Sequence, residues 1–286
     1  MGIEDYQVAE IKNDGSYVQL DGFDKANVDA QVTTAKQYPR NIARCVDNSI
    51  ALATMDYETA QSMGYALPRG GKPITGPSVH LAKLIVSNWG NMRTEAKVVE
   101  ITDKEVVSRG ICWDLEANTA SSFEVRRKIT DKYGKRFSDD MITVTGNAAN
   151  SIAYRNAVFA VVPKGVVDKV YRAAQGLITG DLSDEAKLIK KRQAIVKGFN
   201  ENYGITEDEV AKLAGKAKIE AVKAEQIATL IGIAQSLKDG DATVDEIMKP
   251  IRTEEAKDKL SKTASENASK KKSEEIKKDN LFNEQQ

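Results

Sequence analysis

The residues of this 286-residue chain best suited to chemistry are a dense group of cations. Arg126, Arg127 and Lys128 are followed by Lys132, Lys135 and Arg136. The segment then runs into a stretch carrying Asn147, Asn150 and Arg155, with Lys164 just beyond it. Guanidinium and ammonium groups at this density neutralise phosphates, and side-chain amides hydrogen-bond to phosphate oxygens or base edges. The chemistry they suit is therefore a non-covalent grip on a nucleic-acid backbone. Tyr133 and Phe137, interleaved with the cations, add rings that stack on any base. Cation-rich loops are also common on ordinary solvated surfaces, so the placement of these residues matters more than their number.

Other chemistries have less support. His80 is the sole histidine and Cys45 and Cys112 are the only cysteines, so a zinc cluster is not expected. A histidine triad could be built only around His80, and a histidine satisfied on a helix face is the commoner case. Residues 67–78, Leu-Pro-Arg-Gly-Gly-Lys-Pro-Ile-Thr-Gly-Pro-Ser, read as a loop leading into a helix, with Arg69 and Lys72 on the loop. Backbone amides at such a place can hold phosphate. The spacing of a nucleotide-hydrolysing P-loop is absent from it, and an ordinary connecting loop is an equally good reading. Asp139-Asp140 is a lone acidic doublet, read as a helix start rather than a catalytic pair. No cofactor is expected, and the chain reads as non-catalytic.

The elements that must position these residues are legible from periodicity. Apolar spacing of three and four begins near Ala35 and continues through Ile42, Val46, Ile50 and Ala53, predicting a helix. A second helix follows Pro77 with Leu81, Leu84, Ile85 and Trp89 on one stripe. The period then changes to two: residues 93–101, 105–115 and 121–129 are expected strands with short polar turns between them, an antiparallel meander. In the third strand Phe123, Val125 and Arg127 share one face, while Glu124, Arg126 and Lys128 share the other. Residues 141–162 predict a helix whose polar face carries Asn147, Asn150, Ser151, Tyr154 and Arg155. That face suits either a ligand or hydrogen bonding between helices in the core. Helices at 166–177 and 184–200 follow, the latter with a basic face of Lys187, Lys190, Lys191, Arg192 and Lys197. The fold class expected is α+β.

Four regions are expected. Residues 1–35 form an acidic arm with one short strand at 17–20, residues 36–198 the core, residues 199–251 a small helical module opened by the capping-box sequence Thr206-Glu-Asp-Glu209, and residues 252–286 a disordered charged tail. Two basic residues stand against seven acidic in the arm, 25 against 17 in residues 36–197 and 15 against 18 in residues 198–286, although the whole chain has zero net charge. A basic middle between acidic ends suits a polyanion partner. Near the end of the polar tail lies an apolar pair, Leu281-Phe282, either inert or a docking peptide. With two cysteines, no leader-like segment and no long apolar run, a reducing cytoplasmic setting without a membrane partner is expected.

These pieces also resemble a known family. The points of contact are Gly71-Lys-Pro-Ile-Thr-Gly-Pro-Ser-Val-His-Leu-Ala82 leading to Asn88-Trp-Gly-Asn91, Val107-Ser-Arg-Gly-Ile-Cys-Trp-Asp114, the strand ending Arg126-Arg-Lys128, and Asn147-Ala-Ala-Asn-Ser-Ile-Ala-Tyr-Arg-Asn-Ala157. Their order and character over residues 36–180 resemble bacteriophage single-strand annealing proteins of the RecT and Red-beta type. The segment leading into the helix is poorer in aromatics than in the familiar members, which leaves the subfamily open, Erf-like and Sak-like groups included. The resemblance implies binding of single-stranded DNA and ATP-independent annealing of complementary strands by a homo-oligomeric ring or filament in the bacterial host cytosol. It further implies an annealed duplex intermediate as a second partner, and a phage exonuclease or a host single-strand-binding protein docking through the C-terminal module. Carried over by position, Arg69, Lys72, Arg126, Arg127, Lys128, Lys132, Lys135, Arg136, Asn147, Asn150, Arg155 and Lys164 would contact DNA. The competing expectation is a phage structural or scaffolding subunit whose basic segment makes subunit contacts.

Overall fold

A computed structural model describes residues 22–68, 73–131, 133–180 and 184–253. The expected strand at 17–20, the loop cations Arg69 and Lys72, Lys132 and the tail beyond 253 lie outside the described residues. Helix α1 spans Gly22–Gln37. Its stripe is narrow: Ala35 is buried and Val28 and Val32 are half-buried. Hence the boundary expected at 35/36 falls inside a helix. Next come α2 (Ile42–Ala53), capped by the Asn41 side chain, and the short α3 (Tyr57–Ser62), capped by Asp56.

Part of the loop expected at 67–78 is a strand, since residues 74–77 pair with 64–67. Strands β1 (Gly64–Leu67) and β2 (Ile74–Pro77) pair antiparallel, Gly64 opposite Pro77 and Leu67 opposite Ile74. Four-residue strands containing Gly and Pro carry too short an alternation to read from sequence. Ser78 then caps α4 (Val79–Trp89), its hydroxyl accepting from the Leu81 N–H. Alternation, by contrast, located the main sheet. Strands β3 (Met92–Ile101), β4 (Glu105–Asp114) and β5 (Thr119–Lys128) form the expected antiparallel meander, in order β3-β4-β5, with a bulge between Val98 and Glu100.

The long helix α5 (Asp139–Val161) starts at Ser138, with Asp139 and Asp140 in its first turn, where carboxylates favour the helix dipole. It lies across one face of the sheet. Small residues let it come close: a Cβ on Gly110 of β4 would stand 2.2 Å from the Ala153 carbonyl oxygen. Val106, Ile129, Ile142 and Ala149 fill the gap as a small core. Each of the larger side chains contributes about 1.5–3 kcal/mol by leaving water.

Helices α6 (Lys164–Gly180), α7 (Glu185–Tyr203), α8 (Glu207–Leu213) and α9 (Ala224–Lys238) follow, with a 3-10 turn at Ile219–Ala221 before α9 and further helical residues at 244–253. The capping box expected at Thr206 and Glu209 is present. The boundary expected at 198/199 falls within α7, and among the described residues the C-terminal helices share a core with the preceding ones. Leu230, Ile233 and Met248 belong to the same buried cluster as Leu81, Ile85 and Val170. Helix α9 crosses β1, with Gly232 packed on Ala66. The Ser236 hydroxyl donates to the Ala66 carbonyl at 2.9 Å and accepts from the Ala66 N–H at 3.3 Å, occupying the backbone edge of β1. Gly232 and Ser236 are polar or small residues in a helical pattern, and only this strand gives them a function.

Candidate nucleic-acid interface

Strand alternation splits the basic run. Glu124, Arg126 and Lys128 are exposed on the sheet face away from α5, and Arg127 points to the helix-covered side. On the outer face the cations are interleaved with acids. Arg109 binds Glu124 at 2.7 Å, Arg126 lies 3.9 Å from Glu105, and Lys97 binds Glu95 at 2.8 Å. Such exposed pairs contribute little stability, and a phosphate can displace the carboxylate.

Two turns extend this face at one end of the sheet. In the β3–β4 turn the Thr102 hydroxyl accepts from the N–H groups of Lys104 and Glu105, which fixes the position of Lys104. After β5, Thr130 and Arg136 form an isolated antiparallel bridge. The Asp131 carboxylate accepts from the N–H groups of Tyr133 and Lys135 at 2.8 and 2.9 Å, and Gly134 takes φ 84° at the tip. Gly is suited to that left-handed conformation. The Arg136 guanidinium donates to the Thr102 carbonyl at 2.7 Å, and the Ile129 N–H to the Lys104 carbonyl at 2.8 Å, so the two turns are stitched together. Lys104, Arg126, Lys128, Lys135 and Arg136 therefore meet at one end of the sheet, with Tyr133 83% exposed among them. Among the described residues Lys104, Lys128 and Lys135 have no carboxylate at ion-pairing distance.

The remaining site residues predicted from sequence lie elsewhere. Arg155 is 8% exposed; it donates to Asp241 Oδ2 at 3.0 Å and lies over the Tyr65 ring at 4.1 Å. Arg127 donates to the Asp241 carbonyl at 2.7 Å and reaches Glu246 at 3.5 Å. Both were expected to face DNA. Instead they fasten the segment after α9 to the sheet and to α5, Arg155 because a buried carboxylate needs a cation and Arg127 through the Asp241 backbone carbonyl. Burial pushes the Asp241 carboxyl above its ordinary range, and the Arg155 charge opposes that rise. Asn147 is exposed on α5, whereas Asn150 is half-buried and its Oδ1 is buried without a hydrogen-bond partner. Tyr154 accepts from the Thr94 hydroxyl at 3.3 Å. Lys164 is exposed and paired with Asp168 one turn along α6. Of the two readings open for the polar face of α5, Arg155 and Tyr154 take the structural one.

Sequence reasoning passed over Lys97, Lys104 and Arg109, which lie on the same outer face and at its end turn. Pairing the three strands by their alternation would have placed Arg109 opposite Glu124 and Lys97 opposite Arg109. It also passed over a buried knot at the opposite end of the sheet. There Arg40 binds Asp114 through both terminal nitrogens, donates its backbone N–H and Nε–H to Glu116, and lies 4.8 Å above the Trp89 ring. That knot is sealed by protein partners and ties the start of α2 to β4.

His80 Nε2 lies 3.1 Å from Asp239 Oδ1, which also accepts from the Gln235 amide at 2.8 Å. Burial alone would raise the Asp239 pKa, but these two hydrogen bonds hold it below the ordinary value. The pair fastens α4 to the end of α9. Both cysteines are buried, as expected of small apolar side chains. Among the described residues no group of His, Cys, Asp and Glu is arranged to hold a metal ion, and no helix is long and apolar enough to cross a membrane. Comparison of the chain with protein-family models, curated proteins and solved structures finds no match.

Proposed function

We propose that this chain binds single-stranded DNA along the outer face and cationic end of its meander and, without ATP, anneals complementary strands in phage recombination as a homo-oligomeric ring or filament. The observation that carries this reading is the meeting of Lys104, Arg126, Lys128, Lys135 and Arg136 around exposed Tyr133 at one sheet end. Cations on a rigid sheet neutralise successive phosphates while a ring on a turn stacks a base, which leaves the remaining base edges free to pair. The work asked of the protein is to hold one strand extended, so no bond is made or broken. Oligomerisation has support from apolar side chains on the edge strand β3 and the first turns of α5. Ile101, Met141 and Val144 are exposed there, and a neighbouring subunit would cover them.

The same apolar surface favours the scaffolding alternative, in which the basic end meets protein, and one experiment separates the two. Fluorescence anisotropy of a labelled oligonucleotide is followed across a salt series. Five phosphate-neutralising cations predict a log–log slope of about −3.5, so affinity falls roughly a hundredfold between 50 and 200 mM salt. Lys104→Ala/Lys128→Ala/Lys135→Ala removes no ion pair and should flatten the slope by about 2 and slow annealing of complementary oligonucleotides. No binding at low salt would remove the annealing reading and leave scaffolding.

A further inference from the structure

An apolar groove of ≈ 280 Å³ lies between α7 and α9. Ile195, Phe199, Ile231 and Ala234 contribute apolar walls, and Lys191 and Lys238 stand at its rim. The Lys191 ammonium lies 4.2 Å above the Tyr57 ring, which keeps it at the groove, and Lys238 is exposed in the last turn of α9. An apolar trough with cations at its rim fits a short peptide of two large apolar residues flanked by carboxylates. This chain contains such a peptide in Asp279-Asn-Leu-Phe-Asn-Glu284, the one place beyond residue 260 where large apolar residues adjoin.

We propose that the groove is the docking site of the chain's own segment 279–284, with Leu281 and Phe282 in the trough and Asp279 and Glu284 toward Lys191 and Lys238. Phe282 would enter beside Phe199 and Tyr203, whose rings already meet at 6.1 Å in a tilted arrangement that a third ring can extend.

The path of the chain permits it. Arg252, at the last described helical turn, is fastened to Glu209 at 3.3 Å, and Glu209 is six residues from Tyr203 at the groove. Fewer than seven residues extended cover at most about 20 Å. The stretch from 253 to 281, as a polar coil, would span roughly 30 Å. A tether of that length gives an effective concentration of about 1 mM, tenfold above an intrinsic Kd of about 0.1 mM, so the segment occupies its site and competes about tenfold.

The test uses the full chain and its Leu281→Ala/Phe282→Ala variant. Hydrogen–deuterium exchange should be faster in the variant at α7 residues 195–203 and α9 residues 230–238, by about tenfold, and unchanged across the meander. A peptide of residues 277–286 should bind the variant at least tenfold more tightly than the parent, whose own segment competes. Lys238→Gln, a change at an exposed residue, should weaken binding of that peptide to the Leu281→Ala/Phe282→Ala chain severalfold. Equal exchange at the groove in parent and variant would overturn the proposal. Protection that depends on protein concentration would also overturn it, by giving the groove to a second copy.

Discussion

Replacing Arg155 with Met separates a structural role from a DNA-binding role for the polar face of α5. The side chains of Arg155 and Asp241 are 9% and 3% exposed, Arg155 meets Asp241 Oδ2 at 3.0 Å, and Asp241 Oδ1 has no hydrogen-bond partner among the described residues. Removing the guanidinium leaves a buried carboxylate with no cation apart from Arg127, which bonds to the Asp241 backbone. Breaking a buried pair from one side costs about 3–5 kcal/mol, whereas replacing both members with apolar groups of similar volume is often neutral. Arg155→Met should therefore lower stability by about 3–5 kcal/mol in urea titrations followed by circular dichroism, with a loss of roughly 10 °C in Tm. Arg155→Met/Asp241→Leu should recover most of that loss. DNA affinity of the folded variant and its salt slope should stay unchanged. A stability loss under 1 kcal/mol together with a salt slope flatter by about 0.7 would refute the reasoning and return Arg155 to the DNA groove.

Three further outcomes follow from the geometry. Gly110→Ala would place a Cβ 2.2 Å from the Ala153 carbonyl, so α5 must lift off β4. The expected loss is about 1–3 kcal/mol or more, and an unfolding midpoint equal to the parent's would disprove so close an approach. The Glu209 carboxylate is held below its ordinary value of 4.5 by the Thr206 N–H first, then by the Thr206 hydroxyl and Arg252, against desolvation. A depressed carboxyl contributes stability that is present above its unfolded pKa and lost as pH falls through the folded one. The stability gap between parent and Glu209→Gln should therefore be constant above about pH 5 and close toward pH 3, and a gap independent of pH would count against the capping geometry. Burial, and after it the Asp114 charge, pushes the Cys112 thiol to about 12. Cys112 should not react with an aromatic disulfide reagent at pH 8 until the chain is denatured, and rapid labelling of the native protein at this residue would contradict its burial.

Local signals carried much of the architecture. The strands expected at 93–101, 105–115 and 121–129 are observed at Met92–Ile101, Glu105–Asp114 and Thr119–Lys128. The helix expected at 141–162 runs Asp139–Val161. Period-two alternation and capping side chains act within a few residues, so they can be read along the chain. Helix α1 was passed over although Val28, Val32 and Ala35 stand at steps of four and three, because its single stripe is thin. The β1–β2 hairpin was passed over because its strands gain definition from α9, more than 150 residues away, through the Ser236–Ala66 bonds.

The sequence by itself determined the α+β class, the meander, the opposite facing of Arg126 and Arg127, and the cation-rich turn after β5, since each depends on neighbours in the chain. Only the tertiary structure decided which cations stay in solvent. Asp241 lies 86 residues from Arg155 and 114 from Arg127; its buried carboxylate draws Arg155 inward, and its backbone carbonyl takes Arg127. The fold meanwhile brought Lys104 beside Lys128 and Lys135 through hydrogen bonds between two separate turns. Charge along a chain is a local property. Its accessibility depends on which distant carboxylates the core desolvates, and that is set by packing.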